Sequence, residues 1–405
     1  MDIEESFVKL DGLVVFRNLL DDDVVAPLGD AMFHLAKGDD YLAALEATAE
    51  FERRLFARTT CWTDYLLEAV LEDENAYVTG YAAMGNTGNA VMEKAVESEL
   101  AFLESLGTAT LDDLLGGVDD EEVPELFENL PRWEVREADF AAEYADRMSH
   151  ISTRGYGMFA SHRMFTVEDG ALVPVKHPDP QTLDDLPGYE REREKIIENT
   201  EALLEGRPAN NILLYGDAGT GKSSAVKAIA NEYADRGLRL VEIKKSQLFE
   251  LPEVLETLSS NPLKFIIFID DLSFTTNDRD FAALKAILEG SVFGRNSNIV
   301  VYATSNRRHL VKETLEDRSG TDIHENDTRQ ELMSLSARFG LVITFMQPDR
   351  ERYAHIVLEL ARKAGIEEDE DSLIMRAERF AIRSGGRSPR AAKQFIDLVQ
   401  AGVEV

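Results

Sequence analysis

The stretch from Gly216 to Ser224 limits this chain more than any other: Gly216, Asp217, Ala218, Gly219, Thr220, Gly221, Lys222, Ser223 and Ser224. Two glycines stand five apart, then come a lysine and two hydroxyls. A phosphate chain offers charge and oxygen but little shape. Backbone N–H groups of a tight turn and a helix N-terminus hold it well. Glycines let the backbone come that close without a Cβ clash. Lys222 would set a positive charge on the β- and γ-phosphates, and Ser223 a hydroxyl on Mg²⁺. Such a lysine is expected to be exposed and to add little to the core. The short apolar run "NNILLY" before the loop predicts a strand. "SAVKAIANEYADRG" after it has helical spacing and closes at Gly237, a natural helix C-cap.

The pattern alternates from there on. Strands are predicted at "NILLY", "LRLVEI", "KFIIFIDD", "NIVVYATSN" and "LVITFM". Helices fall at the loop's helix, around Leu248–Leu258, at "DFAALKAILEG" and near His309–Thr314. Near-continuous apolar strands separated by helices predict an α/β fold with a mainly parallel sheet and helices on both faces. Three helical stretches follow the last strand, roughly 349–364, 367–384 and 388–402. Ahead of the core, "DYLAALEATAEFERRLFA", "WTDYLLEAVLED" and "AVMEKAVESELAFLESLG" show helical spacing. Gly116–Trp133 is acidic and Pro-punctuated, and reads as an exposed loop with a short helical turn. A hairpin is predicted around Asp169-Gly170, then a Pro-containing linker. The expected domains are a mainly helical 1–180, an α/β nucleotide-binding core 181–347 and a helical 348–405.

Charge separates the two halves. Residues 1–190 carry 41 acidic and 13 basic side chains, a net of −28, and residues 191–405 carry 35 and 30, a net of −5. An acidic region of that size repels nucleic acid and anionic membrane. It serves as a solubilising surface or as a docking face for a basic partner. The single cysteine, Cys61, excludes an intrachain disulfide framework. The acidic N-terminus lacks an apolar leader, and the apolar runs are too short to span a bilayer, so a cytoplasmic location without membrane attachment is expected.

The later strands carry chemistry. "FIIFIDD" ends in Asp270 and Asp271. A carboxylate there sits beside the phosphate loop and can hold the Mg²⁺ water shell, and the next acid can orient or deprotonate an attacking water. Asn306, at the end of "YATSN", can hold that water or the γ-phosphate, or simply end the strand in a turn. A GTPase would need a guanine-reading N-K-x-D, which the sequence lacks.

The set "PGYERE", "PANNILLYGDAGTGKSS", "KFIIFIDDLSF", "YATSNRRHL", "DIHENDTRQE", "LSARFGL" and "GGRSPRAAKQF" resembles the AAA+ ATPases. More closely, it resembles a bacterial domain-of-unknown-function family, number 815, described as AAA+ ATPases. "WTDYLLEAVLEDENAY" extends the resemblance into the N-terminal part. The resemblance implies ATP and Mg²⁺ as cofactors, with Gly216–Ser224 as Walker A and Asp270 and Asp271 at Walker B. Asp271 is then one methylene shorter than the usual glutamate. Asn306 matches sensor 1, and Arg338 of "SARF" an arginine finger. Arg390 matches sensor 2 of a helical lid, with Arg387 the runner-up. Arg307 and Arg308 follow sensor 1 as a possible interface pair. Leu186 and Tyr189 fall where such proteins cradle adenine, largely by backbone. An ATP-dependent homo-oligomer acting on a protein client is implied. A nucleic-acid-linked ATPase of helicase-loader type and an ATP-gated switch with little turnover are the alternatives.

Overall fold

A computed structural model describes residues 1–38, 40–85, 89–118, 123–272, 284, 288, 298–306 and 338–403. It divides into two compact units, Met1–Ser161 and His162–Val405. The expected helices "DFAALKAILEG" and His309–Thr314 lie outside the described residues, apart from Leu284 and Leu288 in the first.

The first unit is helical. The three amphipathic stretches fold as Tyr41–Phe56, Trp62–Glu72 and Ala90–Gly107. The first and third have starts set by capping side chains: Asp40 accepts from the Ala43 N–H, and Asn89 from those of Val91 and Met92. Phe51 stands edge-on to both Trp62 and Trp133, with ring centroids 5.1 and 5.0 Å apart. Both indoles can be buried because each N–H finds a carbonyl. Trp62 donates to Leu106 and Trp133 to Ala109, each at 2.9 Å. The segment read as an exposed loop is therefore partly core. Val123, Phe127 and Trp133 are all buried, and their apolar area outweighs the acidity of the residues between them.

The second unit is built on a seven-stranded sheet. Its strands are β1 (Met164–Glu168), β2 (Ala171–Pro174), β3 (Ile212–Gly216), β4 (Leu238–Ile243), β5 (Lys264–Ile269), β6 (Ile299–Ser305) and β7 (Leu341–Phe345). The spatial order is β2-β1-β4-β5-β6-β3-β7. Among the described residues β1 and β2 pair antiparallel and the other neighbours pair parallel. The strands predicted from apolar runs are β3 to β7. Phe265 to Ile269 of β5 are wholly buried, as a central parallel strand requires. The predicted hairpin is β1–β2. Its turn places Asp169 and Gly170 at φ 50° and 79°, the left-handed pair of a tight two-residue hairpin. Because β1 extends the sheet alongside β4, the hairpin belongs to this unit. The two units accordingly divide at residues 161 and 162 rather than near 180.

Helices cover the sheet and follow it: α1 (Glu190–Leu204), α2 (Lys222–Glu232), α3 (Leu251–Ser259), α4 (Arg350–Lys363), α5 (Glu370–Arg383) and α6 (Pro389–Gln400). The run expected to continue to Gly237 is α-helical to Glu232 and then tightens into a 3₁₀ turn, Ala234–Arg236, capped by Gly237. α4 to α6 pack on one another. Tyr353 donates to the Ala377 carbonyl at 3.2 Å, and Phe380 meets Phe395 with centroids 5.9 Å apart. Among the described residues no helix is long and apolar enough to cross a membrane.

Two features of this packing can be tested. Glu52 is buried in the first unit with neither carboxylate oxygen hydrogen-bonded, and burial pushes its pKa up to about 7 against a smaller opposing pull from Arg132. The folded chain keeps this proton to about pH 7, whereas the unfolded chain releases it near 4.5. Stability from this group is thus present below pH 4.5 and lost as the pH rises to 7, by up to about 3 kcal/mol. Denaturant unfolding of Glu52→Gln should lack that component of the pH dependence; an unchanged profile would show that Glu52 ionises normally. The second feature concerns two glycines. A Cβ on Gly216, at φ 138°, would lie 2.0 Å from the Phe345 carbonyl oxygen, whereas one on Gly221, at φ 89°, meets nothing within 4 Å. Gly216→Ala should destabilise the second unit by roughly 3 kcal/mol or more, and Gly221→Ala by about 1–2 kcal/mol of backbone strain alone. Equal losses in urea titrations would refute the packing difference.

Candidate functional site

The register of the central strands brings the chemistry together. β6 lies between β3 and β5, pairing Tyr215 with Ser305 and Ile269 with Ala303. The loop after β3, the acids after β5 and the asparagine after β6 therefore emerge side by side at one edge of the sheet.

The loop is held from both ends. Asp217 donates its N–H to the Phe345 carbonyl at 3.0 Å, and its carboxylate accepts from the Gln347 N–H at 2.6 Å. Thr220 Oγ1 donates back to the Asp217 carbonyl at 2.9 Å. Gly221 is the left-handed N-cap of α2. Lys222, expected to be exposed, is instead 5 % exposed. Its Nζ donates to the carbonyls of Asp217 at 2.7 Å and Gly216 at 3.2 Å. Burial pulls the ammonium below the ordinary lysine range, and the carboxylates of Asp217, Asp270 and Asp271 act against that. A buried cation whose hydrogen-bond partners among the described residues are carbonyls suits an anionic ligand.

Three donors meet on one oxygen of Asp270. Its Oδ1 accepts from Ser223 Oγ at 2.6 Å, Thr304 Oγ1 at 2.5 Å and the Asp271 N–H at 3.1 Å. Asp271 has φ 50°, left-handed backbone that is uncommon outside glycine. Its Oδ1 accepts from Asn306 Nδ2 at 2.8 Å. Asn306 thus faces the second acid, across the gap between neighbouring strand ends.

These groups line a cavity of about 500 Å³. Ala218 to Ser224, Asp270, Asp271 and Asn306 form its polar end. Leu186, Pro187, Tyr189, Ile356 and Leu360 line it elsewhere. Tyr189, at φ 61°, directs its ring into the core. The ring stacks on Phe345 at 5.4 Å, lies under the Arg352 guanidinium at 4.8 Å, and donates its hydroxyl to the Met346 carbonyl. Burial pushes that phenol up to about 12. α1, which Tyr189 opens, is anchored to β6 through Tyr302: its hydroxyl bonds with Asn199 at 3.1 Å and Thr200 at 2.8 Å.

The two lid arginines separate. Arg387 is tied to Glu378 at 2.9 and 3.0 Å. Arg390 lines the cavity, and its backbone N–H donates to the Gly219 carbonyl at 3.2 Å. Arg338 lies outside the cavity lining, just ahead of buried Phe339 and β7. Arg307 and Arg308 fall outside the described residues. Sequence reasoning missed Thr304, Lys393, Ile356 and Leu360, all on the lining. The last two stand four apart on amphipathic α4, but that pattern marks any buried helix face.

The donor set fits a polyphosphate with a hard cation. Among the described residues no group of three or more His, Cys, Asp or Glu side chains is placed to hold a metal ion by itself. Ser223 and Asp270 offer one hydroxyl and one carboxylate, donors that Mg²⁺ can take together with phosphate oxygens.

Comparison with known proteins places the chain in a family. The family described as "Protein of unknown function (DUF815)" matches residues 159–403, more than half of the chain. The Holliday junction branch migration complex subunit RuvB of Leifsonia xyli is 26% identical over 242 residues, 56% of this chain and 68% of that protein. The replication factor C large subunit of Staphylothermus marinus is 32% identical over 117 residues, so the match spans only 27% of each. Among solved structures, the RuvB Holliday junction branch migration motor of Thermotoga maritima superposes with a TM-score of 0.37 at 16% identity, over 55% of this chain and 67% of that one. The chain belongs to the DUF815 family.

Proposed function

We propose that this protein binds and hydrolyses MgATP and uses the cycle to drive conformational work on a protein partner, as a homo-oligomer. One observation carries the reading: Lys222, Ser223, Asp270, Asp271, Asn306 and Arg390 line a single cavity although they come from four separate parts of the chain. Lys222 and the loop N–H groups hold the phosphates, and Arg390 brings lid charge to the same end. Ser223 and Asp270 would hold Mg²⁺, which when bound supplies positive charge against the negative charge on the transferred phosphoryl group. Asp271, steered by Asn306, orients the water and accepts its proton. The backbone around Leu186 and Tyr189, with Ile356 and Leu360 opposite, suits a flat purine.

The names of the relatives favour a second reading, a nucleic-acid-linked ATPase. Against it stands the net charge of −28 over residues 1–190. DNA-stimulated hydrolysis that falls steeply between low and moderate salt would select this second reading.

Asp271→Asn should bind MgATP as the wild type does and lose turnover by about 10²-fold or more, because the amide keeps the shape and gives up the proton acceptor. Wild-type turnover in that variant would mean that another group activates the water.

Arg338 lies outside the lining of its own cavity, and on this reading it serves a neighbouring copy. Supplied in trans, an arginine of this kind is worth roughly 10³–10⁵ in rate. Arg338→Ala should bind ATP normally and hydrolyse it slowly. Mixing it with Lys222→Ala, itself inactive, should restore activity by re-forming interfaces with an intact loop and an intact arginine. Lys222→Ala should also lower the melting temperature, since it removes the tie to the Gly216 and Asp217 carbonyls. A mixture that co-assembles and stays inactive refutes the trans arrangement.

A further inference from the structure

We propose that Thr304 is a positioning residue for both acids of the site, setting the orientation in which Asp270 meets the cation and Asp271 meets water. The proposal rests on the MgATP reading above and assigns a role to a residue to which the resemblance gives none.

The β5–β6 ladder ends at Ile269 and Ala303, so the next residues, Asp270 and Thr304, stand beside one another on the same face. Beyond this point Thr304 takes over the work of the ladder. Its backbone carbonyl accepts the Leu272 N–H at 2.7 Å. Its hydroxyl accepts the Asp271 N–H at 2.9 Å and donates to Asp270 Oδ1 at 2.5 Å. One residue thus binds three consecutive positions, 270, 271 and 272. The hydroxyl is the only part of it that can both accept an amide proton and donate to a carboxylate.

Two consequences follow. With Oδ1 engaged by Thr304, Asp270 is fixed about its side-chain torsions beside Ser223. The Asp271 N–H is satisfied off the regular ladder, which sustains its left-handed backbone and turns its carboxylate to Asn306. This compensates for the short side chain: an aspartate reaches Asn306 because its backbone has turned, not because its side chain is long. Thr304 is 2 % exposed, and its β-branch restricts χ1, so the hydroxyl holds one direction.

The test compares Thr304→Val, which keeps the shape and removes the hydroxyl, with Thr304→Ser, which keeps the hydroxyl. Two readouts are taken on full-length protein: the Mg²⁺ dependence of binding of a fluorescent ATP analogue, and kcat and KM for ATP. Thr304→Val should raise the Mg²⁺ concentration for half-maximal binding at least fivefold and lower kcat at least tenfold, with affinity for metal-free nucleotide within twofold of wild type. Thr304→Ser should return both quantities to within about threefold. Wild-type Mg²⁺ dependence and kcat in Thr304→Val overturn the assignment. So does equal loss in Val and Ser, which would place the effect in the methyl packing. If the valine variant fails to fold, a serine variant with less than a third of wild-type kcat also overturns it. A wild-type protein that binds no nucleotide refutes the MgATP reading itself, a separate outcome from either.

Discussion

The ladder joining β5, β6 and β3 is the constraint on which the site depends. Parallel strands lie about 4.8 Å apart, so neighbouring strand ends present their next residues within reach of one another. Once Tyr215 is level with Ser305 and Ile269 with Ala303, the position of Asp270 relative to Ser223 is largely settled. A slip of one residue would turn Asp270 and Asp271 to opposite faces and break the contacts to Ser223 and Thr304. The register is protected by the side chains of Phe265 to Ile269 of β5, all of them buried.

Around that ladder, polar groups fix what apolar packing leaves free. The loop after Gly216 is joined to the end of β7 through Phe345 and Gln347, and to α6 through the Arg390 N–H. The segment between β7 and α4 and the start of α6 therefore both contact the phosphate loop directly. Two hydrogen bonds on Asp217 and one on Gly219 make these ties.

The helical first unit solves a different problem. Its surface is strongly acidic, so its stability must come from a dense aromatic core, Phe51 between Trp62 and Trp133, with both indole N–H groups satisfied by carbonyls.

The sequence alone determined the α/β class, the five core strands and the phosphate loop. Buried parallel strands are continuous apolar runs, and the loop's glycines are required by backbone approach, so both signals are local. It also marked Asp270, Asp271 and Asn306, because a polar residue closing a buried strand stands out against the run before it. Tertiary structure decided everything that depends on which strands are neighbours. The hairpin at Asp169-Gly170 was legible, but its place in the second unit was not, because β1 pairs with β4 across some seventy residues. The sequence ranked Arg390 ahead of Arg387 without separating their surroundings. Only folding gave one to Glu378 and the other to the cavity. Lys222 stood out by its place in the glycine loop, while its burial and its bonds to the Gly216 and Asp217 carbonyls came with the fold. Thr304 lies inside the "YATSN" run, but nothing in one dimension gave it a role. A threonine in a β-strand is ordinary by propensity, and its bonds to residues 270 to 272 exist because two strands distant in sequence end at the same level.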